Sequence, residues 1–342
     1  MDASPGLPFC KHYKTNAELL GFDGFNCDAV KADCLVNMFY YWLDNIQVYP
    51  FRIFIKDEPH KLSKKQKGRW RLIFSSPLFY QILEHLLLDP LDEMESLCQW
   101  DLPTKLRWHP FWGGAQMGVS NFDNPVSLDK QCWDWTLTGQ FAELDNALRS
   151  NLVKAPNKWH ELFETVNDLI YNKAVFQFSS GHQFQQVEPG LMKSGLVRTL
   201  STNSHCQCFI HWLAEQKCGH SHKFWTIGDD LLVDDPCDDY LRYTSDYCIL
   251  KEVEPGYNFA GFNLKTKTPL YWSKHIYRLL YVDEKVIPDV LDNYQRLYVY
   301  SDKKFNIFQD MLYDLDPTKI RSQAYLKRWA VQKPSNFKFL IN

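Results

Sequence analysis

Two aspartates stand side by side in Thr226-Ile227-Gly228-Asp229-Asp230-Leu231-Leu232-Val233, between apolar runs that read as short strands. Gly228 can adopt backbone angles closed to other residues, so a tight hairpin turn fits here and would push both carboxylates out at its tip. Adjacent carboxylates repel, and a divalent cation that prefers hard oxygen ligands, Mg²⁺ above all, relieves the repulsion. Taken alone, a Gly-Asp-Asp triplet is more often a solvated acidic turn. A second acidic segment shifts that balance. Ser127-Leu128-Asp129-Lys130-Gln131-Cys132-Trp133-Asp134-Trp135 puts Asp129 at the end of a strand and Asp134 just past the turn that leaves it. Asp129 facing the hairpin tip would complete a cage of Asp129, Asp229 and Asp230 for two Mg²⁺ ions, with Mn²⁺ as a substitute, the arrangement suited to in-line phosphoryl displacement.

Two further segments could serve such chemistry. In Lys193-Ser194-Gly195-Leu196-Val197-Arg198-Thr199-Leu200-Ser201-Thr202-Asn203-Ser204, Gly195 marks a flexible loop, and a helix entered at Thr199 sets Thr199 and Asn203 one turn apart on the same face. Hydroxyl and amide groups so placed can bond a sugar hydroxyl; an ordinary capped helix is the plainer reading. The stretch from Arg52 to Arg71 carries Lys56, Lys61, Lys64, Lys65, Lys67, Arg69 and Arg71 besides Arg52, against Asp57 and Glu58 alone, a net charge of +6. Such a patch suits phosphates, or is a solvated basic loop.

These residues need a frame. In the 342-residue chain, 45% hydrophobic and 23% charged residues match a globular domain and exclude disorder, collagen and coiled coil. The formal charge of −3 excludes a uniformly basic body, so any nucleic-acid contact must be local. No apolar run approaches the roughly 20 residues of a membrane span, and ten scattered cysteines suggest a reduced, intracellular, soluble chain with no anchor of its own. Apolar spacing predicts helices over Ala32–Leu43, Phe79–Leu97 (broken at Pro90), Trp159–Tyr171, the stretch after Thr202, Val290–Tyr300, Phe305–Leu312 and Ile320–Val331, and strands over Val126–Asp129, Lys223–Ile227 and Leu231–Asp234. The fold class expected is α+β with a sheet at its heart.

Taken in order, Asp129 with Asp134, then Ser194-Gly195 with Thr199 and Asn203, then Gly228-Asp229-Asp230 resemble motifs A, B and C of the RNA-dependent RNA polymerases of positive-strand RNA viruses. Lys56-Asp57-Glu58 followed by Gly68-Arg69-Trp70-Arg71-Leu72-Ile73 resembles motif F, Ser4-Pro5-Gly6-Leu7-Pro8 motif G, Lys251 the motif D lysine, and Phe259-Ala260-Gly261-Phe262 the motif E hairpin. The wording of G, F and A is most similar to the sobemovirus and polerovirus, or sobemo-like, group. The resemblance implies a right-hand fold: fingers over 1–120, a palm with an antiparallel sheet over 121–264 bearing a fingers-type insertion near 140–190, and a mainly helical thumb over 265–342. It also implies that the N-terminal part of the fingers is missing here, or comes from another reading frame or an upstream polyprotein segment.

The activity so implied is template-directed nucleotidyl transfer from NTPs to an RNA 3′ hydroxyl, replicating a viral genome. Asp129 and Asp229 would ligate the metals with Asp230 as auxiliary. Asp134, Thr199 and Asn203 would read the ribose, and Ser194 and Gly195 would form the loop presenting template and NTP. Lys56, Arg69 and Arg71 would hold the triphosphate, Lys61, Lys64, Lys65 and Lys67 with Ser4 and Gly6 would meet RNA, and Lys251 would be the general acid for pyrophosphate. Partners would be template and product RNA and other replication proteins, through which the enzyme would sit on membranes in the host cytoplasm. A reverse transcriptase-like polymerase and a noncatalytic RNA-binding palm subunit are the competing readings. His205, Cys206, Cys208, His211, Cys218, His220 and His222 crowd together, but they lack a paired Cys-x-x-Cys knuckle and read as core cysteines and packing or surface histidines.

Overall fold

A computed structural model of the chain describes residues 1–58 and 62–331. Its strands are β1 (Phe51–Ile55), β2 (Leu72–Ser75), β3 (Pro125–Lys130), β4 (Val175–Phe178), β5 (Gln183–Gln185), β6 (Phe224–Ile227), β7 (Asp230–Asp234), β8 (Leu250–Pro255), β9 (Asn258–Phe259), β10 (Phe262–Asn263) and β11 (Thr268–Pro269). They form three sheets, ordered β2-β1-β4-β5, β6-β7-β3-β8 and β11-β10-β9. Helices cover the sheets and make up most of the chain after Trp272, so the architecture is α+β.

The β6-β7-β3-β8 sheet is antiparallel throughout. Side chains alternate faces along a strand, and β7 uses both of its faces. Leu231 and Val233 pack with Leu128, Ala214 and Tyr240 on one side, while Leu232 packs with Trp225, Phe122, Phe259 and Phe262 on the other. An apolar run rather than a strict alternation in β7 follows from being covered twice.

In the β2-β1-β4-β5 sheet, β1 pairs antiparallel with β2 but parallel with β4, Phe51 opposite Phe176. The basic segment thus leaves the sheet from β1 and returns to it in the edge strand β2. Phe51, Ile53, Phe74 and Phe176 feed the largest apolar cluster, with Phe79, Tyr80 and Leu83 from the helix Leu78–Leu97. That helix runs through Pro90, contrary to the expected break. Proline removes one N–H and so frees the carbonyl four residues back, and that residue, Leu86, is exposed, where water can satisfy it.

At the C-terminal end, the helices Ile287–Leu297 and Asp302–Leu315 bury Leu291, Tyr294, Tyr298, Phe308 and Leu312 between them. The helix Gln323–Val331 turns back on the N-terminal half: Trp112 donates its indole N–H to the Trp329 carbonyl at 3.0 Å and its backbone N–H to the Ala330 carbonyl at 2.7 Å.

The helix Thr199–Cys218 runs through the centre, with buried Ser201, Thr202, Asn203, Ser204, His205, Gln207 and His211. Buried polar groups are costly unless bonded, and here an ion network bonds several of them. Arg149 pairs with Asp145 at 3.0 Å and Asp92 at 2.9 Å, and His205 bridges Asp145 at 2.5 Å and Glu95 at 3.0 Å. The network ties this helix to Gly139–Leu152 and Leu78–Leu97. Burial alone would lower the His205 imidazolium, but Asp145 and Glu95 outweigh it and raise it from 6.5 to about 9.

The raised value sets the pH dependence of this network. The folded chain holds a proton on His205 that the unfolded chain releases, so the stabilisation is fully present below about pH 6.5 and is lost as pH climbs through about 9. At 1.36 kcal/mol per unit, the raised value corresponds to about 3 kcal/mol. His205→Gln should therefore lie about 3 kcal/mol below the native chain near pH 6 in urea unfolding, a gap that closes toward pH 10. A gap independent of pH would show that His205 carries no charge there.

Candidate active site

The hairpin predicted at Gly228 is present. Ile227 pairs with Asp230 across a two-residue turn, and Gly228 has φ +61°. The turn is pinned from below: the Gly228 N–H donates to Ser204 Oγ at 2.8 Å, and Ser204 Oγ donates to the Leu200 carbonyl at 2.8 Å. The central helix thereby sets the position of the tip.

Register then brings the third carboxylate in. Leu128 pairs with Leu231, so Asp129, one residue on in β3, stands beside Asp230 at the same end of the sheet. On its other side Asp129 pairs with Glu252 of β8, where a register shift between Asp129 and Lys130 re-aims the strand. Asp129, Asp229 and Asp230 line one cleft of about 290 Å³ with Glu252, Glu254 and Tyr271.

The electrostatics report crowding. Asp230 opens onto the cleft mouth but is hemmed in by protein; that desolvation, then the charges of Asp229 and Asp129, push its carboxyl up to about 6, against the pull of Lys130. Lys130 lies fully buried behind the three carboxylates, its Nζ without a hydrogen-bond partner among the described residues. Burial pushes its ammonium down, and Cys248, Asp229, Asp230 and Asp129 draw it back up. Lys251 reaches Asp129 Oδ2 at 2.5 Å and Glu252 at 3.3 Å, and the bond to Asp129 holds its proton on. Crowded oxygen ligands, with two lysines set against them, are the chemistry that a hard divalent cation fits.

Asp134 sits in the short helix Trp133–Thr136, near Asp229. Desolvation and the Asp229 charge raise its carboxyl, opposed by Asn203 and Arg71. Asn203 Nδ2 stands 3.5 Å from Asp134 Oδ1, and Asn203 Oδ1 is buried with no partner among the described residues, an acceptor waiting for a donor. Arg69 reaches the same turn, with Nη2 3.6 Å from Cys132 Sγ.

The remaining candidates are engaged as follows. Glu58 pairs with Lys56 at 3.0 Å and Arg71 at 3.5 Å. Ser194 Oγ accepts from the Phe74 N–H at 3.4 Å, and Thr199 Oγ1 donates to the carbonyls of Leu196 at 2.9 Å and Lys193 at 3.1 Å, so both hydroxyls fasten the loop. Ser4 Oγ accepts from the Gly6 N–H at 3.3 Å, and Gly6 lies so close to Ser76 that a Cβ would stand 2.2 Å from its carbonyl oxygen. Between β1 and β2, Lys64 and Lys65 are exposed on the short helix Leu62–Gln66 and Lys67 just past it, and Lys61 lies outside the described residues.

No family model matches the chain. Among known proteins, 210 residues are 31% identical to the replicase polyprotein P2AB of Southern bean mosaic virus, over 56% of this chain and 20% of that protein. The RNA-directed RNA polymerase of Mushroom bacilliform virus is 25% identical over 315 residues, 82% of this chain and 74% of that one. Protein P1-P2 of Potato leafroll virus is 26% identical over 309 residues, 82% of this chain and 27% of that protein. The chain is a relative of the sobemo-like viral RNA polymerases. It spans between a fifth and about a quarter of the two polyproteins.

Some parts of the site of this sobemo-like relative carried no local signal in the sequence. Nothing in the local pattern marks Lys130, and Tyr271 falls in the stretch read as mainly helical; only the fold places both against the carboxylates. The cysteines and histidines also divide. Cys206 and Cys208 are buried, and burial pushes both thiols up, as expected for core residues. His205 belongs to the ion network, and burial holds His211 down at about 4, its Nδ1 2.7 Å from the Tyr240 hydroxyl. Cys218 and His222 converge with Cys237, which the local pattern did not include.

Gly195 is the sharpest steric test of how this loop is seated. A Cβ there would stand 2.0 Å from the Phe74 carbonyl oxygen, which is main chain and cannot step aside. Gly195→Ala should cost about 1–3 kcal/mol as the loop parts from β2. A drop in the urea midpoint with an unchanged slope would register it; native stability in the variant would mean that the contact is not formed.

Proposed function

We propose that the chain synthesises RNA on an RNA template, transferring nucleotides from NTPs to an RNA 3′ hydroxyl as part of a viral replicase. The observation that carries this reading is the strand register that sets Asp129 beside Asp229 and Asp230, in a chain related to a protein named as an RNA-directed RNA polymerase. Residues 1–120 would act as fingers, 121–264 as palm and 265–342 as thumb of a right-hand polymerase.

Two Mg²⁺ ions, or Mn²⁺, held by Asp129 and Asp229 with Asp230 alongside, would activate the attacking hydroxyl and stabilise the leaving pyrophosphate. Lys130, buried behind the three carboxylates, would offset their repulsion to the extent that Asp229, Asp230 and Asp129 draw its ammonium back up against burial. Lys56 and Arg71 would turn from Glu58 to the triphosphate, with Arg69 beside them, because charge-assisted bonds to phosphate outcompete a half-exposed ion pair. Lys251, whose proton Asp129 holds on, would deliver it to the departing pyrophosphate.

Sugar choice would rest on Asp134 and Asn203. The unpartnered Asn203 Oδ1 accepts from a ribose 2′ hydroxyl, whereas a deoxyribose leaves it orphaned at a cost of about 1–3 kcal/mol. Ser194, Gly195 and Thr199 would shape the loop beneath template and NTP. Ser4, Gly6, Lys61, Lys64, Lys65 and Lys67 would guide the RNA. The related P2AB and P1-P2 proteins are far longer than this chain, so an upstream replicase segment is the partner we expect, and through it attachment to membranes of the host cytoplasm. No helix among the described residues is long and apolar enough to cross a membrane.

Primer extension on an RNA template with Mg²⁺ tests the assignment. Asp229→Ala should lower incorporation by on the order of 10³-fold or more while leaving the fold intact. Equal incorporation by both chains would refute the cage. Asn203→Ala should reduce the preference for NTP over dNTP by about tenfold, the equivalent of one lost buried hydrogen bond. Better extension with dNTPs by the native chain would instead favour a reverse transcriptase-like enzyme.

A further inference from the structure

We propose that Cys218, His222 and Cys237 form a zinc site that staples the open end of the β6-β7 hairpin. The sulfurs of Cys218 and Cys237 and a ring nitrogen of His222 all lie within 4.8 Å of one another. The three residues come from different places in the fold. Cys218 ends the central helix, His222 precedes β6, and Cys237 follows β7 at the start of the helix Asp238–Thr244. A side-chain cluster assembled from the two arms of a hairpin and the helix beneath it is not explained by any local turn.

The contacts these groups make are poor ones without a metal. His222 Nε2 is shut off from solvent with no hydrogen-bond partner among the described residues. Cys218 Sγ makes carbonyl contacts at 3.5 Å to Glu215 and His220, and Cys237 Sγ accepts from the Tyr240 N–H at 3.4 Å. All ten cysteines of the chain are free thiols. Two thiolates and an imidazole are a soft donor set that selects Zn²⁺ over Mg²⁺, with bonds of about 2.3 Å to sulfur and about 2.0 Å to nitrogen. A tetrahedral ion seated among them needs the three groups to draw together by about an ångström, and water would take the fourth position. The backbone N–H of Tyr240 would then support the Cys237 thiolate, as outer-shell donors do in such sites.

The consequence is mechanical. The hairpin tip that carries Asp229 and Asp230 is pinned by Ser204, and the zinc would pin its base to the same helix. This inference stands on the cluster alone and holds whether or not the chain polymerises RNA.

The test is metal analysis of the full chain, expressed in zinc-supplemented medium, purified under reductant and desalted through chelating resin. About one zinc per chain is expected, falling to background in Cys218→Ser/Cys237→Ser and in His222→Ala, but kept in Cys98→Ser, whose cysteine is exposed and outside the cluster. Should the cluster variants fail to fold, cobalt exchanged into the native chain decides: thiolate-to-cobalt charge transfer with strong tetrahedral visible bands supports the site. Zinc-free native protein, zinc retained by the variants, an octahedral cobalt spectrum, or a Cys218–Cys237 disulfide in the non-reduced mass map would each overturn it.

Discussion

Carboxylates drive one another apart, and the structure holds three of them at one end of a sheet. Side-chain preference cannot do this; backbone register can. Once Leu128 pairs with Leu231 and Ile227 with Asp230, the positions of Asp129, Asp229 and Asp230 are no longer independent. A slip of one residue would turn Asp129 to the other face and bury it against Ala214 and Tyr240. The packing of β7 therefore fixes the acidic end, because a register that pulled Leu231, Leu232 or Val233 out of its cluster would lose about 1.5–3 kcal/mol for each.

The repulsion is answered at two depths. Lys130 stands behind the carboxylates within the protein, where burial lowers its ammonium and Asp229, Asp230 and Asp129 draw it back up, and Lys251 reaches Asp129 from the cleft. The inner lysine is permanent architecture, while the outer one is half-exposed and can leave. Such a pair lets the acidic end persist before any cation binds and still leaves it short of charge, as the raised Asp230 carboxyl records.

Beneath the site, a helix with buried polar residues all round carries the load. Ser204 holds the Gly228 turn, Asn203 meets Asp134, and Thr202 and His205 both bond Asp145. A helix packed with serine, threonine and cysteine can approach its neighbours closely, but only if its polar groups find partners at once. The residues of this helix that shape the candidate site are thus also part of the interior, and the loop Lys193–Arg198 shares that character: burial and the Arg198 charge push the Lys193 ammonium down to about 6 beside the Gly190 carbonyl.

What the amino-acid order determined by itself is whatever depends on near neighbours. Gly228 between two apolar runs makes the hairpin, Phe259 and Phe262 pair as expected, and the spacing of apolar residues after Val290 makes helices. The order of the acidic and hydroxyl-bearing motifs was likewise enough to point to the polymerase relatives. Only the tertiary structure decided that Pro90 lies within a helix, that β1 runs parallel to β4 from more than a hundred residues away, that Lys130 is interior, and that Cys237 joins Cys218 and His222. Those outcomes turn on which surfaces are covered and which distant strands meet. They are settled by burial and register over the whole chain, and such pairings leave no periodic trace in a local stretch of residues.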